Sequence, residues 1–120
     1  MEQSTLFLNG GGIVRYTMNG YAWNVYLVPP HSEMLMRSDG SFTCGMCDRD
    51  TQCVYLSNLL RGAFLRKVLI HEVCHSAMMS YDVNMSVEQE ELFCDLLATF
   101  GDEIISVADD MFRVLKSAVA

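Results

Sequence analysis

The run His71-Glu72-Val73-Cys74-His75 sets two imidazoles four residues apart, with a carboxylate beside the first. On an α-helix such positions lie one turn apart on the same face, where both rings can reach one metal ion. Zn2+ takes nitrogen, sulfur and carboxylate ligands in a tetrahedron, and a catalytic site leaves one corner to water, whose pKa the ion lowers to about 7. Glu72 is then placed to take that water's proton, so the pattern predicts one zinc ion and a hydroxide generator with Glu72 as general base. The bland alternative is two histidines sharing a helix face by accident. Against it, two of the chain's three histidines fall in the pattern with the glutamate in place. The surroundings argue the same way. At about 100° per residue, Phe64, Val68, His71, His75 and Met79 share one face while Ile70, Val73 and Ala77 make a second, as on a helix covered from two directions. Polar side chains in such a place need a reason.

A third ligand is required, and the following segment offers Glu88, Glu90, Glu91 and Asp95. Acids in a first turn also complement the helix dipole with no metal present. If the histidine helix ends at Ser80 and the next starts at Ser86 and folds back, His75 lies about 7.5 Å before the loop, and a residue five past the cap returns about 7.5 Å. That residue is Glu91. Glu91 and Asp95 form a like-charge pair at i, i+4, which calls for a positive partner. Zinc on Glu91, with Asp95 orienting a ligand histidine through its other ring nitrogen, would supply one. Their face carries Cys94, Ala98 and Thr99, small enough for close helix approach. A wheel centred on Phe93, Leu97 and Phe100 instead turns Glu90 towards the buried side, so Glu90 stands as the alternative third ligand.

The elements that must position these residues read as β in the first half and α in the second. Residues 12–18 and Tyr21 to Val28 are rich in Val, Ile, Tyr, Thr and Trp around Asn19-Gly20, the preferred type I′ pair, which predicts a hairpin. Leu6 to Leu8 is a candidate short strand. Further strands are expected over Ser41 to Cys44 and over Gln52 to Leu56, joined by a turn at Cys47-Asp48-Arg49-Asp50. Ser57 or Asn58 can cap the histidine helix. Ser86-Val87-Glu88-Gln89 is a capping box for the next helix, which continues past Gly101 as one bent helix or two. Its apolar positions Ile104, Val107, Ala108, Met111, Val114 and Leu115 read as core.

A chain of 120 residues, 51% hydrophobic, makes one domain with a single core, spanning residues 1–120. A net charge of −7 with only eight scattered Lys and Arg argues against nucleic acid as partner. No signal peptide or membrane span is visible, so a soluble, cytoplasmic protein is expected, with no membrane partner. Five cysteines fit a reducing compartment. Cys44 and Cys47 form a C-x-x-C pair without a second pair, read as ordinary thiols rather than half of a metal knuckle, and Cys74 and Cys94 as small apolar packers. His31, beside Pro30, reads as a solvated loop residue.

The motif followed by Glu91-Leu92-Phe93-Cys94-Asp95-Leu96-Leu97-Ala98 resembles the glutamate-zincins, and the order of strand, turn, strand and motif helix is most similar to the ImmA/IrrE-like metallopeptidases and their short bacteriophage and prophage relatives. The similarity covers about residues 42 to 100, and the chain has Cys94-Asp95 where that family has Ala-Asn. The resemblance implies an α+β, minimal zincin-like fold, with an N-terminal antiparallel or mixed twisted sheet packed on the motif helix. One long or two C-terminal helices would follow. It implies His71, His75 and Glu91 on zinc, Glu72 activating water, Asp95 in support, and a protein or peptide substrate cut in a bacterial or phage-infected cell. The substrate would add as a strand to an edge, for which Gln52, Cys53, Val54, Tyr55 and Leu56 are the candidate. Tyr55 and Tyr81 are candidate oxyanion helpers. Two other readings stand beside it: a non-catalytic zinc-binding interaction module of phage origin, and a structural or host-inhibiting phage protein without metal. Glu72 separates the first two, since a purely structural site closes its tetrahedron with four protein ligands and has no use for a base.

Overall fold

The computed structural model describes residues 4–5 and 13–119, and in it Asn19 and Gly20 both take left-handed backbone angles, φ 51° and 81°. That is the type I′ requirement, met by the residues best able to meet it. The turn joins β2 (Ile13–Met18) to β3 (Tyr21–Val28) with Met18 opposite Tyr21. A two-residue strand, β1 (Ser4–Thr5), pairs antiparallel with β2; the candidate strand at Leu6 to Leu8 lies outside the described residues.

Beyond the hairpin the observed strands depart from expectation. Residues 41–44 form no strand and contribute only a bridge between Met36 and Phe42. The strand is β4 (Gly45–Asp48), so Cys47 and Asp48 belong to it and the turn shifts to residues 49–52, where Gln52 has φ 53°. Asp48 starts that turn by accepting the Asp50 N–H at 3.0 Å.

The chain returns as β5 (Cys53–Ser57), and the sheet order is β1-β2-β3-β5-β4. This corrects the expected edge at Gln52, Cys53, Val54, Tyr55 and Leu56: Gln52 is in the turn, and β5 is parallel to β3 on one side and antiparallel to β4 on the other. Val54 and Leu56 pack with Trp23 and Val25 on one face, while Cys53 and Tyr55 meet Leu35 of a 3-10 turn (Glu33–Leu35) on the other. A strand apolar on both faces belongs inside a sheet. The free edge beside the helices is β4.

Helix α1 (Gly62–Ser80) begins later than expected, with Arg61 at the N-cap and no side-chain cap. Ser57 and Asn58 are already committed to the sheet, their N–H groups donating to Cys44 O and Val28 O. Leu65, Val68, Leu69 and Met79 of α1 cover the sheet, and Cys74 and Met78 on its far side meet Cys94 and Leu97 of α2 (Val87–Ala118). The helix lies between two layers, which explains its low amphipathicity. Its buried hydroxyls are satisfied from the hairpin: Tyr16 Oη donates to Ser76 Oγ at 2.6 Å and Trp23 Nε1 to Ser80 Oγ at 2.9 Å. Among the described residues no helix is long and apolar enough to cross a membrane.

The capping box is present, Ser86 Oγ accepting from Gln89 N and Gln89 Oε1 from Ser86 N. From it α2 runs as one helix through Gly101. The core reading of its last turns is overturned. Ile104, Val107, Met111, Val114 and Leu115 are each at least half exposed, because α2 has 32 residues against the 19 of α1 and outruns the layer that would have covered it.

Candidate metal centre

The tight crossing of α1 and α2 rests on small side chains, Cys94 being fully buried against Cys74. With the first turn of α2 fixed by its capping box, Glu90, Glu91 and Asp95 come back alongside His75 and His71. The two Nε2 atoms stand 3.1 Å apart. Glu91 bridges them, Oε1 at 3.1 Å from His71 Nε2 and Oε2 at 3.0 Å from His75 Nε2. The outward nitrogens are held as well: His71 Nδ1 lies 2.8 Å from Asp95 Oδ1, and His75 Nδ1 lies 2.6 Å from Glu90 Oε2.

A carboxylate has no proton to give, so each ring donates its Nδ1–H outward, and a neutral ring in that tautomer turns its Nε2 lone pair inward. Two such lone pairs and the Glu91 carboxylate then face one another, three acceptors without a proton between them. A cation satisfies all three. The spacing agrees, because donors about 2.0 to 2.1 Å from a tetrahedral zinc ion stand about 3.4 Å apart, and a few tenths of an ångström of spreading would admit it. Two imidazole nitrogens and one carboxylate oxygen also leave one tetrahedral corner for water. Among the described residues, His71, His75 and Glu91 are the one group of His, Cys, Asp or Glu close enough together to hold a metal. Glu90, the alternative third ligand, touches the opposite nitrogen of His75 and so lies outside that group. Cys44 is exposed, and neither it nor Cys47 joins such a cluster.

Carboxylates behind ligand histidines raise their basicity and fix the tautomer, and their removal costs roughly 10- to 100-fold in metal affinity. Asp95→Ala and Glu90→Ala are each expected to weaken zinc by that factor in a chelator competition. Glu90, the better sheltered of the two, should have the larger effect.

Glu72 lies in the same cleft as the two histidines, tucked beneath β4, and is 7% exposed. Burial pushes its carboxyl up to about 7, against the opposing pull of His71 and with a smaller push from Glu91. It fits there because Gly45 opens β4. A Cβ on Gly45 would stand 2.8 Å from Val68 Cγ1 and 3.0 Å from Glu72 Cγ. Gly45 was not singled out in the sequence, although a glycine inside a strand is a signal of close backbone approach. Gly45→Ala should cost about 1 to 3 kcal/mol by overpacking and displace Glu72, readable as a lowered urea midpoint.

The raised Glu72 has a consequence for the metal-free protein. Unfolded, the carboxyl titrates near 4.5; folded, near 7. Between those values the native state holds the extra proton, so stability falls as pH rises and the full penalty, on the order of 3 kcal/mol, is reached above pH 7. Chelator-treated Glu72→Gln should therefore gain stability over the wild type at pH 8, with the gain vanishing at pH 4. An equal difference at both pH values would refute this origin.

A cleft of about 800 Å3 opens over these groups, walled by residues 42–47 on one side and by Phe64, Lys67, Val68 and the metal triad on the other. Arg37 and Lys67 are its cations. Tyr55 and Tyr81 do not line it: Tyr55 stacks on Tyr26 on the far sheet face, and Tyr81 caps α1 in solvent. His31 is exposed and sets its ring edgewise to Phe42, 5.0 Å between centroids. Comparison with protein-family models, curated proteins and solved structures finds no match for this chain.

Proposed function

We infer that the protein is a zinc-dependent peptidase, hydrolysing a peptide bond in a protein or peptide substrate, built as a short glutamate-zincin related to the ImmA/IrrE-like metallopeptidases and their phage counterparts. The observation that carries this reading is the convergence of His71 Nε2, His75 Nε2 and the Glu91 carboxylate within 3.0 to 3.1 Å of one another, each ring backed by a carboxylate on its outer nitrogen. Bound there, zinc would supply Lewis-acid activation of water and of the scissile carbonyl. Glu72 would take the proton of the attacking water and return it to the departing amide nitrogen. The free edge of β4 offers unpaired backbone groups along the cleft, where an extended substrate can add as a further strand. Five free thiols accord with a reducing, cytoplasmic setting.

The base separates this reading from a non-catalytic zinc module, since such a module gains nothing from a buried carboxylate beside the metal. Zinc-loaded wild type and Glu72→Gln protein incubated with a bacterial lysate provide the test, new peptide termini being compared by mass spectrometry. Termini produced by the wild type alone support the peptidase. Identical termini in both samples, or none in either, would favour the non-catalytic module.

A further inference from the structure

The last third of α2 is a helix with no layer against it. Roughly a dozen of its residues extend about 18 Å past the start of α1 at 1.5 Å per residue. The radius of gyration is accordingly 16.4 Å, with a long axis of 54 Å, where a chain of this length packed as a ball has about 14 Å. An overhang of that length is marginal as an isolated helix in water, and it carries its apolar residues outward. Phe100, Ile104, Val107, Met111, Val114 and Ala118 follow one another at alternating steps of four and three, the a/d seam of a coiled coil, and the first five are half or more exposed.

We propose that this seam pairs two copies of the chain, α2 against α2 in antiparallel orientation. Antiparallel layers set each a position against a d position. The register that keeps all layers together places Phe100 against Ala118, Ile104 against Val114 and Val107 against Met111. Large thus meets small at the ends, and the two central layers are equivalent. A parallel pair would stack Phe100 on Phe100 and leave Ala118 facing Ala118. With Leu115 flanking the seam, each helix offers on the order of 600 Å2 of apolar surface, so a pair buries at most about 1,200 Å2, the lower bound of a stable specific interface. The acidic polar face disfavours the other apolar host for an amphipathic helix, a membrane of anionic lipid. At about 100° per residue Glu91 and Asp95 lie on the opposite side of α2 from the seam, so pairing leaves the metal cleft open. The proposal does not rest on the metal reading.

Sedimentation equilibrium of the full chain tests it. The expected result is twice the 13.5 kDa of one chain at micromolar concentration. Val107→Glu combined with Met111→Glu puts four carboxylates into the central layers and should weaken association on the order of 100-fold or more. Both sites are exposed in the single chain, so the circular dichroism of the rest of the fold and the zinc content should be retained. A spin label on an unnatural side chain at position 118 reads the orientation, with labels about 27 Å apart expected for the antiparallel pair and about 10 Å for a parallel one. A wild type monomeric at 100-fold higher concentration would overturn the proposal. So would a dimer that survives the double substitution, label separations near the shorter distance, or a monomer that instead sediments with phosphatidylcholine vesicles.

Discussion

Glu72→Gln is expected to bind zinc as the wild type does and to lose peptide cleavage by roughly 100- to 10,000-fold, the range that a general base contributes. The two parts of that result come from different atoms. Zinc is to be held by His71, His75 and Glu91, and none of the ligand-atom distances, 3.0 to 3.1 Å, involves Glu72. Glutamine has nearly the shape of glutamate, so the packing of residue 72 under Gly45 and Val68 should survive. Only the capacity to accept a proton is removed. Cleavage assays on any substrate found in lysate, with metal content measured on the same samples, check both parts together. A variant that loses metal would show that Glu72 helps to hold the site, and one that retains cleavage would remove it from the chemistry.

The second large effect is on metal binding. His71→Ala or His75→Ala should lower zinc affinity by well over 100-fold, because removing the carboxylate behind a ligand already costs roughly 10- to 100-fold and the ligand itself must matter more. Each deletion also leaves a partner stranded. Without His75, Glu90 loses the ring nitrogen that its Oε2 meets at 2.6 Å, and Glu91 Oε2 loses its contact at 3.0 Å. Two acidic side chains are then left adjacent without a cation or a ring between them. Near-stoichiometric zinc in the His71→Ala protein, measured after gel filtration against a chelator, would contradict the ligand assignment.

What could be read from the sequence was local. Asn19-Gly20 specifies its turn through φ, Ser86 and Gln89 specify a helix start through two hydrogen bonds, and residues 71 and 75 must share a face wherever a helix forms. What escaped was set by neighbours. A five-residue apolar run before a helix looks the same at the edge of a sheet as inside it, and Cys53–Ser57 is interior because β4 pairs outside it. The alternation Cys53, Tyr55 against Val54, Leu56, apolar on both sides, was the available clue. Ser57 had the right side chain for a cap, but the parallel pairing to β3 reaches Ser57 and delays the helix to Gly62. Glu90 and Glu91 are adjacent in sequence and one helical step apart, too fine a distinction for a boundary inferred to within a few residues. In the structure they meet opposite nitrogens of His75. The stripe from Ile104 to Leu115 was amphipathic, as a covered helix should be. Nothing in an amphipathic pattern tells whether the cover comes from the same chain.

X-ray absorption at the zinc edge of the loaded protein is expected to show one zinc per chain with only nitrogen and oxygen neighbours at about 2.0 to 2.2 Å, two of them imidazole. Sulfur at about 2.3 Å, which would bring in Cys44 and Cys47, or a protein that takes up no zinc at all, would contradict it.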